Sequence, residues 1–172
     1  MIKSTWWSSA EPIQLISAEK RAQFLRIQDN DISIKHFELC LEADTGEQRG
    51  HDFTIVYVAI LCGALECNNV LTSLDLRQNN IGAAGAACIS SVLQRNCVLT
   101  SLNLYGNSIG DSGAASVCLA LERNSVLTSL FLSYNNIGDA GAASVCSALE
   151  HNSVLTSLDL SHNSIGAAGA AS

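Results

Sequence analysis

The sequence is poor in aromatic and charged residues, and each scarcity excludes a class of structure or function. Only 5% of the residues are aromatic, although 48% are hydrophobic. Because many of the hydrophobic residues are alanines, the core must be packed from small side chains in close layers. Nine basic residues stand against 16 acidic ones, which gives a net charge of −7. This balance argues against binding nucleic acid or an anionic membrane surface, since both need clustered basic residues.

Long hydrophobic runs are also scarce. The best candidate, residues 54–65 (TIVYVAILCGAL), is too short to cross a bilayer. It falls in the helix position of the repeat pattern described below, so we interpret it as a buried helix. The first residues lack the continuous apolar segment of a secretory signal, and we therefore predict a cytoplasmic protein.

Cysteine is present seven times, but never at the CxxC or CxxH spacing of a metal site. Cys118 and Cys146 share one repeat position with Ser90, which indicates a site for a small side chain rather than for a disulfide. We expect reduced thiols, as in the cytosol or nucleus. The four histidines also lack metal-ligand spacing, and we predict neither a metal nor any other cofactor.

The dominant feature of the sequence is a repeat with a period of 28 residues. Its units are residues 71–98, 99–126 and 127–154, followed by a partial unit at 155–172. Each unit opens with LTSLxLxxN. Leu74 and Leu76 of the first unit are two positions apart and therefore face the same side of a short strand. Ser73, Asp75 and Arg77 face the other side.

Each strand segment is followed by an asparagine that can bond neighbouring backbone groups through its amide. Stacked repeats would align these side chains into a ladder, which satisfies loop backbone groups. The predicted ladder consists of Asn79, Asn107, Asn135 and Asn163.

The second part of each unit predicts a helix of about 12 residues, with apolar residues spaced four apart on one face. Asp111 and Asp139 fall near the helix start, where a carboxylate suits the helix dipole and capping. A further asparagine follows each helix, at a position where asparagine can adopt the left-handed conformation. These asparagines are Asn96, Asn124 and Asn152.

One strand and one helix cannot bury their own apolar faces, whereas stacked repeats can. The pattern resembles the leucine-rich repeats of ribonuclease inhibitor, NLR-type receptors and the Ran GTPase-activating protein, over about Asp52 to Ser172. The resemblance implies an α/β solenoid shaped as a horseshoe, with a parallel β-sheet on the concave face and helices on the convex face. It also implies binding of a protein partner along the concave face.

The chain divides into a divergent N-terminal segment, residues 1–50, and a leucine-rich-repeat domain, residues 51–172. In the N-terminal segment, Phe24–Ile32 resembles a degenerate strand-and-turn unit and His36–Asp44 a second strand. A helix is expected around Phe53–Cys67. Trp6 and Trp7 are expected to cover the exposed end of the core, with a partner contact as the alternative.

The last repeat stops early in its helix, without a capping unit. Two interpretations stay open for this feature. The chain is a fragment of a longer array, or its open C-terminal end is covered by self-association.

The candidate binding surface is formed by positions that differ between repeats on the concave face, because repeated positions are structural by default. Aromatic residues beside charged ones are typical of interface centres. The other interpretation is drift on a solvated surface. The candidate residues are Asp75, Arg77, Asn103, Tyr105, Phe131, Ser133, Tyr134, Asp159 and His162.

The sequence favours a non-enzymatic interaction scaffold. Ser161, His162 and Asp159 invite a hydrolytic-triad interpretation, but Asp159 and Ser161 face the same side of one strand and no nucleophile turn is apparent. One alternative is a small-GTPase regulator, suggested only by Arg77 at a post-strand position. The other is a fragment of an NLR-like immune sensor.

Overall fold

The computed structural model describes residues 18–39 and 51–171. Helices and strands alternate along the chain. The helices are α1 (Ala18–Gln28), α2 (His51–Glu66), α3 (Gly82–Leu93), α4 (Gly110–Leu121), α5 (Asp139–His151) and α6 (Ala167–Ala170). The strands are β1 (His36–Glu38), β2 (Ser73–Asp75), β3 (Ser101–Asn103), β4 (Ser129–Phe131) and β5 (Ser157–Asp159).

The five strands form one open parallel sheet in chain order, β1-β2-β3-β4-β5. Each residue pairs with its equivalent in the next repeat, so that Leu74 lies beside Leu102, Leu102 beside Leu130 and Leu130 beside Leu158. The first three of these leucines are buried within the core, between the sheet and the helices. This arrangement confirms the predicted α/β solenoid, with strands on the concave face and helices on the convex face.

The predicted asparagine ladder is confirmed. Asn107 donates through Nδ2 to the carbonyl oxygens of Leu76, Leu104 and Tyr105, at 2.8, 3.0 and 3.1 Å. Its Oδ1 accepts the backbone N–H of Asn79 at 2.9 Å. Because each amide thus joins two repeats, it satisfies loop backbone groups that have no partner within their own repeat.

A second asparagine ladder runs behind the first, at the helix ends. Asn124 donates to the carbonyl oxygens of Leu93 and Asn96, at 2.7 and 3.2 Å, and accepts from the N–H of Leu127 at 2.7 Å. The left-handed conformation predicted for this position is wrong, since none of the three asparagines has a positive φ. The amide instead donates across the repeat boundary, while its oxygen accepts from the loop that follows, at the N–H groups of Val126 and Leu127.

The N-terminal end of the core differs from its prediction. Phe24–Ile32 was expected to form a strand and turn, but residues up to Gln28 are helical. Phe24 and Ile27 are three apart, on one helix face, and both are buried. The ring of Phe24 packs 6.1 Å from Phe37 and 6.4 Å from Tyr57, centroid to centroid. This helix therefore covers the first repeat.

Asn30 ends helix α1 rather than joining the ladder of Asn79. It adopts a left-handed φ of 56°. Its N–H donates to Ile27 O, and the N–H of Asp31 donates to Arg26 O. These two bonds form a Schellman motif, which satisfies the last helical carbonyls. The spacing of Leu25, Ile27 and Asn30 therefore belongs to a helix and its C-terminal cap, not to a strand and turn.

The other N-terminal expectations have mixed outcomes. The second strand is confirmed over His36–Glu38, and the expected helix spans His51–Glu66. Residues 40–44 and the pair Trp6 and Trp7 lie outside the described residues. In the described part of the chain, no helix is long and apolar enough to cross a membrane.

The carboxylates near the helix starts cap the helix of the next repeat, not their own. Asp111 lies in the first turn of α4, yet its Oδ1 accepts from the N–H groups of Gly138 and Gly141, at 2.6 and 2.9 Å. Asp139 binds Gly166 and Gly169 in the same way, at 2.7 and 3.0 Å. These carboxylates therefore link consecutive helices as well as satisfying free helical donors.

We predict that Asn107→Ala lowers the free energy of unfolding by about 3 kcal/mol, because several buried backbone groups lose their partner. Chemical denaturation provides the measurement. Ser125→Ala, at an exposed position in the loop before β4, is the control and should change little. A loss for Asn107→Ala no larger than that of the control would contradict the ladder's stabilising role.

We also predict that Asp111→Ala destabilises the fold by about 1 kcal/mol, the usual cost of losing a helix cap. Asp111→Asn keeps an acceptor oxygen and should lose less than half as much in the same denaturation assay. If the two variants are equally destabilised, the hydrogen bonds to Gly138 and Gly141 are not what the carboxylate contributes.

Candidate functional site

The concave face begins with an ion-pair cluster at the N-terminal side of the sheet. The Arg77 guanidinium lies 2.6 Å from Asp75 Oδ2 and 3.6 Å from Glu38 Oε1. Asp75 also accepts from Asn103 Nδ2, at 3.2 Å, and from the N–H of Arg77 at 3.0 Å. Only 6% of Asp75 is exposed. Asp75 therefore holds its neighbours in place and offers little surface to a partner.

Three repeats use the last strand position to fix the turn that follows. Asp75, Asn103 and Asp159 each accept the N–H of the residue two positions later. Phe131 takes this position in the third repeat and has no acceptor side chain. Its half-buried ring therefore replaces a turn-fixing group with apolar surface on the concave face.

Three rings form a row along the ends of the strands, which we call the aromatic row: Tyr105, Tyr134 and His162. The ring centroids of Tyr105 and Tyr134 are 5.1 Å apart, with the planes tilted by 51°. Tyr134 and His162 are stacked, with centroids 4.2 Å apart and an interplanar angle of 20°. The row crosses three consecutive repeats and fixes each ring against the next.

The backbone beneath the aromatic row is left-handed. Gln78, Tyr134 and His162 have φ values of 55°, 57° and 55°, and Gly106 at the equivalent position has 65°. Bulky residues rarely adopt this region, which glycine enters without strain.

An open groove of about 340 Å³ lies between the ion-pair cluster and the aromatic row. It brings together residues of β2 through β5 and the turns that follow them. Its lining residues are Arg77, Gln78, Asn103, Tyr105, Phe131, Ser133 and Asp159.

The ionised carboxylate of Asp159 lines the C-terminal side of the groove. Its pKa is lowered, chiefly by a hydrogen bond from the Ser161 side chain and a second from the Ser161 N–H, with smaller effects from a Ser133 hydrogen bond and from His162. Ser161 thus donates to Asp159, an arrangement unlike a hydrolytic triad, in which the serine donates to the histidine.

The structure brings most of the sequence-predicted site residues together. Six of them line the groove, and Tyr134 and His162 extend it through ring contacts. Two of the candidates were expected to be exposed but are buried, Asp75 at 6% and Ser133 at 1% exposure. Gln78 was not among the candidates. Its position just after the strand, equivalent to Gly106 and Tyr134, nevertheless indicates that it is a neighbour of Tyr105.

Of the described cysteines, four lie on helices and two in exposed loops: Cys62, Cys88, Cys118 and Cys146, and Cys67 and Cys97. The six are free thiols, and Cys62 and Cys118 are buried. Burial raises the pKa of each of these two thiols to about 12, so both are protonated at neutral pH. Within residues 18–39 and 51–171, no three acidic, histidine or cysteine side chains are grouped so that they could hold a metal ion.

Comparison with known proteins identifies the repeat. A family model described as "Leucine Rich repeat" matches residues 67–90, 95–118, 123–146 and 151–172, more than half of the chain. The chain belongs to the leucine-rich repeat family. No curated protein sequence matches it significantly.

Solved structures share the fold of this leucine-rich repeat protein at low sequence identity. The actin-binding site 2 of leiomodin-1 superposes with a TM-score of 0.69 and 21% identity, covering 84% of this chain and 80% of that one. The C-terminal domain of tropomodulin from Caenorhabditis elegans superposes with a TM-score of 0.71 and 13% identity, covering 84% and 83%. At these identities the likeness establishes the fold alone.

The left-handed backbone of the leucine-rich repeat turn leads to a prediction at Tyr134. We expect Tyr134→Gly to be more stable than Tyr134→Ala by about 1 kcal/mol, because only glycine enters this region without strain. Thermal or chemical denaturation measures the difference. At Tyr105, whose φ is not positive, the order should reverse, with alanine the more stable variant. The same order at both positions would contradict the strain argument.

Proposed function

We propose that this chain is a protein-interaction scaffold that binds a protein partner on its concave face. The observation that carries the proposal is the aromatic row of Tyr105, Tyr134 and His162 beside Phe131, at the edge of an open groove. Tyrosine and phenylalanine are enriched at the centres of protein interfaces relative to the rest of the protein surface.

The row is already ordered before any partner arrives. Each ring is held by its neighbour, so little side-chain entropy remains to be lost on binding. Tyr134 and His162 also have bulky side chains on a left-handed, strained backbone. The equivalent residue of the second repeat is Gly106, which adopts the same conformation without strain. Retained strain of this kind is typical of positions at which the side chain has a functional role.

The size of the surface limits the affinity of this chain alone. Strands about 4.8 Å apart give five strands a width of roughly 20 Å. The face therefore offers fewer than the roughly 20–30 residues that each partner contributes to a standard interface. We expect modest binding by this chain and tighter binding when further repeats or a second contact extend the surface.

A structural neighbour supports the use of this fold for binding proteins. The leiomodin-1 domain is described as an actin-binding site. At 21% identity, the partner of leiomodin-1 is not assigned to this chain. We therefore propose which face binds, and not which protein it binds.

The sequence-based alternatives receive no such support. A GTPase regulator would need a cation free to reach a nucleotide, but the Arg77 guanidinium is already engaged by Asp75 and Glu38. The interpretations as an NLR-like sensor fragment and as a chain that self-associates at its C-terminal end stay predictions, as does the cytoplasmic location.

The test is a pull-down from host lysate with the wild-type chain and with the Tyr105→Ala/Phe131→Ala double variant. We expect the double variant to lose a captured protein by about tenfold or more, because two interface aromatics are removed. Leu119→Ala is the matched control, since Leu119 is a 59%-exposed apolar residue on helix α4 of the convex face. Capture that survives the double substitution, or fails equally in the control, would reject the concave face.

A further inference from the structure

The charged groups and aromatic rings of the groove indicate which chemical class of partner it can bind. The charged side chains of this part of the concave face are Glu38, Asp75 and Asp159 and the guanidinium of Arg77. Arg77 pairs with Asp75 and Glu38 at the N-terminal side of the groove. Among the described residues, no lysine or arginine forms a salt bridge with Asp159, and the imidazole of His162 lies near it.

The carboxylate of Asp159 is ionised at neutral pH, and hydrogen bonds from Ser161 lower its pKa further. The Ser161 N–H donates to Oδ1 at 2.9 Å, and the Ser161 and Ser133 side chains also donate to the carboxylate. Since a carboxylate offers about four acceptor positions in all, about one is left for a donor from a partner.

The aromatic row crosses the sheet from Tyr105, in the repeat next to that of Arg77, to His162, in the repeat of Asp159. Tyr105 and Phe131 line the groove together with the carboxylate. Tyr134 continues the row from Tyr105 and is 47% exposed. A tyrosine face attracts a cation, and a nearby carboxylate provides the complementary hydrogen-bond acceptors.

We propose that this groove recognises an arginine side chain on the partner, with the guanidinium stacked on the Tyr105–Tyr134 rings and hydrogen-bonded to Asp159. Arginine fits better than lysine because its planar guanidinium stacks on aromatic rings while an N–H at its edge donates to the carboxylate. The net charge of −7 would also draw a basic segment toward the chain. This inference rests on the proposed function and specifies the chemistry of its partner.

The experiment titrates the isotope-labelled chain with a short capped peptide that carries two arginines, and follows amide signals by NMR. We expect saturable shifts at Tyr105, Tyr134 and Asp159, with a weaker response to the lysine version and none to the glutamate version. Asp159→Asn should weaken the arginine peptide about threefold or more, as expected for one exposed cation contact. Glu122→Gln, which removes an exposed carboxylate on the convex side, is the matched control.

Three outcomes would overturn the inference. They are no saturable shift, shifts spread evenly over the acidic surface, and equal responses to arginine and lysine or to arginine and glutamate. The proposed function is tested separately by the double alanine variant. If that variant loses a protein partner while the arginine peptide does not bind, the scaffold function stands and only its arginine chemistry is wrong.

Discussion

The whole structure depends on the buried asparagine amides that join one repeat to the next. Strands of three residues and helices of about three turns leave many backbone groups in the loops without partners. Asn107 and its equivalents donate and accept at a distance of one repeat, whereas Asn124 and its equivalents donate across the repeat boundary and accept from the loop that follows them. Threonine adds a third link, since Thr100 Oγ1 donates to Thr72 O at 3.0 Å. Since each repeat is completed by its neighbour, the repeats stabilise one another.

These links also explain how the concave face is free to vary. The apolar core and the amide ladders use the inward positions and the loops, so the outward strand positions can differ between repeats. Where a repeat places Asp or Asn at the strand end, the side chain fixes the following turn, as in Asp75 and Asn103. Phe131 gives up that bond, and the fold tolerates the loss because the ladder of Asn135 and Asn163 holds the same turn.

The sequence predicts the part of the fold that its period controls. The 28-residue spacing is sufficient for the strand order, the register and the first asparagine ladder. It fails at Phe24–Ile32, because the spacing of Leu25, Ile27 and Asn30 fits both a strand with its turn and a helix with a left-handed cap. Only the packing of Phe24 against Phe37 and Tyr57 decides between them. In the same way, Asp111 was assigned to the correct kind of bond but to the wrong helix, since sequence position alone does not show contacts across repeats.

The sequence predicted which positions of the repeat form the candidate site, but not how their side chains are arranged in space. The variable positions contain the rings of the aromatic row, yet the sequence does not show the left-handed turns that carry Tyr134 and His162. Burial divides these positions further, since Asp75 and Ser133 are almost fully buried whereas Tyr105 and Asp159 are partly exposed. A positively charged partner group on this face would then meet a preorganised ring surface and a carboxylate that Ser161 holds in place. That arrangement gives specificity at little entropic cost, which suits a surface too small to bind by area alone.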